Sequence, residues 1–284
     1  MRAQGRGLLV LPALALLALA FFYPVEQIVA RAFTDHTSSQ GGALANLKWY
    51  FGDAAQMHIL GRTFRTALVV TAICLAVGYP YAYLMTIATR RWQMLLFGIV
   101  VISAWQSILV RNYAWRILLR DDGLVNDALA ALGFSRAHLL GTATGVTIGM
   151  SQVMAPFMIL PLFAAMRNVD RRLLLAARSL GAAPPSAFVR VFVPLSLPGI
   201  VSGGLLVFVL SLGFYITPAL LGSPTDSLLS QSIVLQINRL LDWGHAGAMA
   251  FMLLVLTLLL LGAVALAMRR PLARVSGGAG GRRA

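Results

Sequence analysis

Charge is scarce in this chain. Only 11% of its 284 residues are charged and 59% are hydrophobic, whereas roughly a quarter of a soluble domain is charged. An ordinary soluble domain is therefore excluded. Acids are scarcer still, nine against 23 Lys and Arg. The only acid within the long apolar runs is Glu26, at the outer end of the first. Proton and ion pathways depend on ionisable groups at membrane depth, and the runs offer no such set. Cysteine occurs once, as Cys74 inside an apolar run. That excludes an intrachain disulfide framework and a cysteine-rich metal site, and leaves a small buried apolar residue. The four histidines, His36, His58, His138 and His245, fall between the runs and read as plain surface. No Gly-x-x-x-x-Gly-Lys-Ser/Thr run is present, so the chain cannot itself use ATP in the P-loop manner. A membrane-embedded enzyme would need a buried catalytic grouping, and none is visible.

What the chain does have is a series of apolar runs, each near the roughly 20 helical residues that cross the hydrocarbon core. They predict an all-α integral membrane protein, a single transmembrane domain over residues 1–284. Its six spans lie at about 8–30, 66–88, 94–115, 139–166, 195–221 and 246–268. The first is not a cleaved signal, because Ala18 and Ala20 run straight into Phe21-Phe22-Tyr23. Residues 31–65 read as a polar loop with a short interfacial helix around 44–51. Gly203-Gly204, Gly213 and Pro218 interrupt the fifth span and, like Pro156 and Pro161 in the fourth, suit helices that bend or pack closely.

Six spans put both termini on one side, with the Arg90-Arg91 turn and the loop between spans four and five. Together these segments hold 14 basic residues against one acid, Asp170, which accounts for +13 of the formal +14. The positive-inside rule makes that side cytoplasmic, and nucleic-acid binding has no charge left to explain.

The loop at 167–194 is too ordered for a linker. Asp170 can cap a helix through Leu180 by accepting from its first-turn amides. Gly181 stands where that helix must stop, since glycine takes the left-handed C′ conformation freely. Pro184 and Pro185 suit a turn and the start of a second helix, Ser186 to Phe192, and Pro194 should disrupt any helix running through it. The expectation is a cytoplasmic helix-turn-helix between spans four and five that offers Leu174, Ala177 and Phe188 to a partner.

The spacing here, Ala176-Ala177, three residues, Gly181, nine residues, Val191-Phe192-Val193-Pro194, resembles the coupling loop of ABC importer permeases, the Glu-Ala-Ala loop. Leu175 stands where that motif opens with Glu. A second stretch is similar to spermidine/putrescine-type permeases after the third span: Arg111, Tyr113-Ala114-Trp115, Leu118-Leu119, Gly123, Asn126 and Leu132-Gly133 fall in register. The resemblance implies a solute pathway worked by alternating access, a second permease subunit, a cytoplasmic ATPase dimer and an extracytoplasmic solute-binding protein. It implies the bacterial inner membrane, and a small cation such as a polyamine as solute. ATP and Mg would sit on the ATPase, with no cofactor on this chain.

On this reading Leu174, Leu175, Ala176, Ala177, Gly181, Phe188 and Pro194 form the ATPase-docking loop. Trp105, Gln106, Gln152, Tyr215 and Thr217 are the pathway candidates, because aromatic faces and neutral dipoles could hold a cation. Arg111 and Tyr113 are assigned to an outer gate or to the contact with the binding protein. A secondary transporter or channel without an ATPase is the alternative, as is a scaffold for other membrane proteins.

Overall fold

The computed structural model describes residues 4–34 and 44–277; His36, Gly41-Gly42, Arg2, Arg282 and Arg283 lie outside them. Every regular element among the described residues is helical. In chain order they are α1 (Gln4–Thr34), α2 (Ala45–Gly52), α3 (Ala54–Ile87), α4 (Arg90–Trp105), α5 (Ile108–Leu118), α6 (Leu124–Ala131) and α7 (Ala143–Arg167). There follow α8 (Arg172–Ser179), α9 (Pro184–Ala187), a π turn at Phe188–Phe192, α10 (Val193–Leu212), α11 (Ile216–Leu221), α12 (Leu229–Leu235), a second π turn at Gln236–Leu240 and α13 (Trp243–Gly277). Five helices are long and apolar enough to cross a membrane. A sixth crossing results if α4 and α5, bent by 97° where they meet, count as one.

Three boundaries differ from the sequence expectation. Residues 54–65, expected as loop, are the first turns of α3; Gln56, His58, Arg62 and Arg65 are polar, but polarity does not oppose a helix outside the hydrocarbon. The third span is not continuous from 94 to 115 but breaks at Gln106-Ser107. The fifth span neither begins at 195 nor reaches 221 in one piece. Its helix runs unbroken from Pro184 to Leu212, then stops at Gly213 before α11.

The chain divides into two compact units, residues 60–230 with 259–284, and residues 1–59 with 231–258. In the larger unit α7 and α10 pack along each other at glycines. A Cβ on Gly199 would lie 2.6 Å from the Ala165 Cβ, and one on Gly203 would lie 3.0 Å from the Met158 sulfur. Small residues let membrane helices approach this closely, so Gly203 is a packing position within an unbroken helix, while Gly204 meets only Thr71 on α3, at 3.9 Å. Val70, Cys74, Met85, Met150, Met154, Met158, Leu162 and Phe192 are buried around this crossing. The Cys74 thiol donates to the Ser151 carbonyl (3.3 Å) within that core.

In the smaller unit Trp49 stacks on His245 at 3.6 Å, and the His245 Nδ1 lies 2.7 Å from an Asp242 carboxylate oxygen. His245 is thus half-buried in a built contact, not plain surface. His58 and His138 are exposed, the latter against Asp121. Gly247 meets the α1 backbone, where a Cβ would come within 2.8 Å of the Ala32 nitrogen.

Candidate functional site

The hairpin between α7 and α10 starts from its caps. Asp170 accepts from the Arg172 amide (2.9 Å) and so opens α8 from two residues before it. At the other end Gly181 has φ +89°, Ala182 N–H donates to Ala177 C=O (3.1 Å) and Gly181 N–H to Arg178 C=O (3.0 Å). This is the complete double bond of a glycine-closed helix end. Pro184 and Pro185 then occupy the first positions of α9, where missing amide hydrogens cost nothing.

Pro194 does not break the chain as expected. Residues Phe188–Phe192, just ahead of it, form a π turn, and the Val193 amide bonds five residues back to Phe188 C=O. That extra residue widens the turn, so the proline ring avoids the clash an α register would impose. The second helix of the hairpin is therefore the first part of the helix that crosses the membrane.

Beneath the hairpin lies an aromatic box. Tyr83 meets the rings of Phe188 and Phe192 edge-on, each at 5.1 Å, and those two rings stack at 5.3 Å. Tyr79 reaches Phe188 at 6.3 Å and its hydroxyl lies 3.0 Å from the Ser196 Oγ. The Arg171 guanidinium donates to the Thr86 carbonyl at the end of α3. Tyr83, Ile87, Leu174, Ala187 and Phe188 line a cleft of about 340 Å³ under the hairpin.

Of the seven predicted docking residues, Leu174 and Phe188 pack against the body, and Ala177 is half-buried. Leu175, Ala176, Gly181 and Pro194 are exposed. Sequence reasoning missed Leu173, Leu180 and Val189, all exposed apolar residues, with Leu180 at 90%. Helical angle was the signal: at 100° per residue, Leu173, Ala176 and Leu180 share one face.

Charge differs between the two ends of the helices. At the α3–α4 turn and hairpin, Arg90 and Arg167 border one cleft, and Arg171, Arg172, Arg178 and Arg190 are exposed. None of them pairs with a carboxylate among the described residues. At the other end charges are paired: Arg62 with Asp226 (3.8 Å), Arg120 with Asp122 (3.0 Å) and Arg136 with Asp127 (3.0 Å). There the buried Asn126 amide ties Arg120 C=O to Ala137 C=O and N–H.

The pathway candidates separate into two groups. The Arg111 guanidinium, itself buried, donates to the carbonyls of Ser103 and Gln106. Those carbonyls end α4 and lack helical partners, and a cation suits that end of the helix dipole. Next to them Gln152 donates to the Ser103 Oγ (3.3 Å) and accepts from the Trp115 indole (3.3 Å). Gln106, Arg111 and Gln152 thus join through Ser103 at the α4–α5 elbow; Ser103 and Trp115 are additions from the structure. Thr217 is buried on α11, its methyl against α7, where a Cβ on Gly149 would come within 3.1 Å. Trp105, Tyr113 and Tyr215 are exposed and join neither group.

The fold is that of an ABC transporter permease. It matches a chain of a bacterial alginate ABC transporter, crystallised with an alginate-bound periplasmic protein, over 95% of both chains, with a TM-score of 0.71 and 19% identity. In sequence the chain is similar to the spermidine/putrescine transport system permease protein PotB of Haemophilus influenzae, at 36% identity over 68% of each chain. It is also similar to PotB of Escherichia coli K12, at 31% identity over 74% of this chain and 77% of that one. The chain belongs to the family of spermidine/putrescine-type permease subunits of ABC importers. No family model matches it.

Proposed function

We propose that this chain forms one side of the pathway of an ATP-driven importer for a small cationic solute of the polyamine class. On this reading it is a single permease domain of six spans, counting the bent α4–α5 pair as one. Both termini and the hairpin face the cytoplasm of a bacterium, and the chain sits in the inner membrane. A cytoplasmic ATPase dimer docks on the hairpin, holding the ATP and Mg. A second permease subunit completes the pathway, and an extracytoplasmic binding protein delivers the solute. The chain itself performs no hydrolysis.

The observation that carries this reading is the unbroken helix from Pro184 to Leu212. Closure of the ATPases against α8 and α9 would turn that helix and, through the glycine crossing at Gly199 and Gly203, move α7 with it. The elbow at Ser103, Gln106, Arg111 and Gln152 lies on α4, α5 and α7 and would feel the movement. The solute assignment rests on the similarity to the spermidine/putrescine permeases PotB. Trp115 and Gln152 offer an aromatic ring and a neutral dipole of the kind that accommodates amines.

The test is uptake of radiolabelled spermidine and putrescine into proteoliposomes holding the assembled complex. ATP-dependent accumulation is expected, with Gln152→Ala reducing it tenfold or more. Uphill transport by this chain without an ATPase would overturn the reading in favour of a secondary transporter.

A further inference from the structure

We propose that the cleft between the start of α4 and the end of α7 is a site for one anionic phospholipid, a phosphatidylglycerol-type diester of the cytoplasmic leaflet. The leaflet follows from the proposed orientation. The site itself goes beyond that reading, since neither solute nor ATPase takes part in it.

Helical spacing builds the cleft. Arg90, Gln93, Met94 and Phe97 stand at i, i+3, i+4 and i+7 and so share one face of α4. Phe163 and Arg167, four apart, share one face of α7. The faces meet with the rings of Phe97 and Phe163 tilted at 6.4 Å, and the six residues line a cleft of about 300 Å³. Arg90 opens α4 and Arg167 closes α7. The phenyl rings lie deeper, by about 6 Å on α7 and about 10 Å on α4 at 1.5 Å per residue. The cleft is therefore charged at its mouth and apolar in its depth.

Neither arginine has a carboxylate partner among the described residues. Arg167 has a local reason for its place, because a cation suits the C-terminal end of a helix dipole. Arg90 has none. With Arg91 beside it, no acid in the first turn and no side-chain cap, its charge opposes the dipole of α4. A phosphodiester between Arg90 and Arg167 supplies the missing negative charge, and its non-bridging oxygens match the guanidinium fork. Basic pockets between spans on the cytoplasmic side hold acidic headgroups in this way.

The depth of the cleft separates lipid from its rivals. A soluble phosphate would use the arginines and leave Met94, Phe97 and Phe163 idle. An apolar helix of another subunit would cover the rings and strand two guanidinium ions, which is costly. Met94 and Phe97 are exposed, and the far side of α4 carries Trp92, Leu95, Ile99 and Ile102, all exposed and none charged. So α4 has the surface of an outer, lipid-facing helix, with Trp92 placed near Arg90 as an interfacial anchor.

Gly98→Cys carries the reporter for the test. It adjoins Phe97, outside the cleft lining, with nothing within 4 Å of an added Cβ, and the natural Cys74 is buried. The full chain, labelled there with a bimane, is placed in phosphatidylcholine nanodiscs. These contain a minor share of either phosphatidylglycerol or phosphatidylcholine with brominated acyl chains, which quench at short range. Phosphatidylglycerol is expected to quench at least threefold more than phosphatidylcholine. Arg90→Gln with Arg167→Gln should remove the difference, while Arg90→Lys with Arg167→Lys should keep most of it. Both arginines are exposed, so folding is not at stake. Equal quenching by the two lipids overturns the proposal, as does a preference that survives the glutamine pair. Loss of the preference in Arg172→Gln, at the same end but outside the cleft, overturns it in favour of diffuse attraction. Displacement by inorganic phosphate overturns it in favour of a soluble anion. Disappearance of the preference once the partner permease and ATPase are added assigns the cleft to protein and overturns it too. Orientation is read separately by thiol labelling from each side, so none of these failures touches the proposed function.

Discussion

At the scale of single residues, glycine does two different jobs in this chain, and substitution distinguishes them. Gly181 has φ +89° and open space around the position of a Cβ. Its cost on substitution is purely conformational, about 1–2 kcal/mol for an ordinary L-residue. Gly181→Asn should keep near-normal transport, because asparagine tolerates the left-handed region, while Gly181→Val should lose ATPase association; co-purification with the ATPase checks both. Gly199 is the opposite case, with ordinary backbone and no room. A side chain there would meet Ala165 Cβ at 2.6 Å and Pro161 C=O at 3.1 Å. Gly199→Val should destabilise the α7–α10 pair by about 1–3 kcal/mol, read as a lower unfolding midpoint in detergent. The first role was legible in the sequence, because a left-handed helix end demands glycine and leaves a local mark. The second was legible only in part: Gly203-Gly204 suits a helix that bends or one that packs closely, and only the partner helix shows that Gly203 packs. The docking residues divide similarly. Asp170 and Gly181 marked the ends of α8 in the sequence, but the side of α8 that faces outward is decided by Leu174 finding the core.

At the scale of elements, the hairpin was legible as far as Pro185 and misread beyond it. The expectation that Pro194 ends a helix assumes an α register, and the π turn at Phe188–Phe192 removes that assumption. Nothing in Phe-Val-Arg-Val-Phe announces the extra residue, since a π turn is settled by how the aromatic box of Tyr83, Phe188 and Phe192 packs. Deleting Val191 should restore α spacing and rotate the hairpin by about 100° relative to α10. The expected result is normal membrane insertion with loss of solute-stimulated ATP hydrolysis, measured in proteoliposomes. The α4–α5 elbow was equally invisible. Gln106-Ser107 contains neither glycine nor proline, and the 97° bend is held by Arg111 capping the carbonyls of Ser103 and Gln106. Replacing Arg111 with Leu would leave those carbonyls without their cationic partner, so a loss of transport with retained ATPase docking is expected. Uptake measured beside co-purification separates the two effects.

At the scale of the whole molecule, the distribution of charge carries the topology argument. The sequence count put nearly all excess positive charge on one side, and the structure groups Arg90, Arg167, Arg171, Arg172, Arg178 and Arg190 at one end of the larger unit, with no acidic partner among the described residues. Which face of the membrane that end meets can be read by labelling. The natural chain has a single thiol, Cys74, buried in the core, so new cysteines report with little background. Arg178→Cys should react with an impermeant maleimide only from the cytoplasmic side, and Asp122→Cys only from the outer side. The reverse pattern would invert the proposed orientation.

The helix from Pro184 to Leu212 also fixes how input at the hairpin can be delivered. Twenty-nine residues at about 1.5 Å each make a rod of roughly 43 Å, comparable to the full bilayer thickness. The rod includes the π turn at Phe188–Phe192 and prolines at 194 and 198, yet no loop interrupts it, so torque applied at one end would reach Ser211 along a continuous helix and not through a tether. If the proposed ATPase docks on the hairpin, whatever opens and closes near Gly213 would follow the nucleotide cycle itself, and not thermal play in a linker.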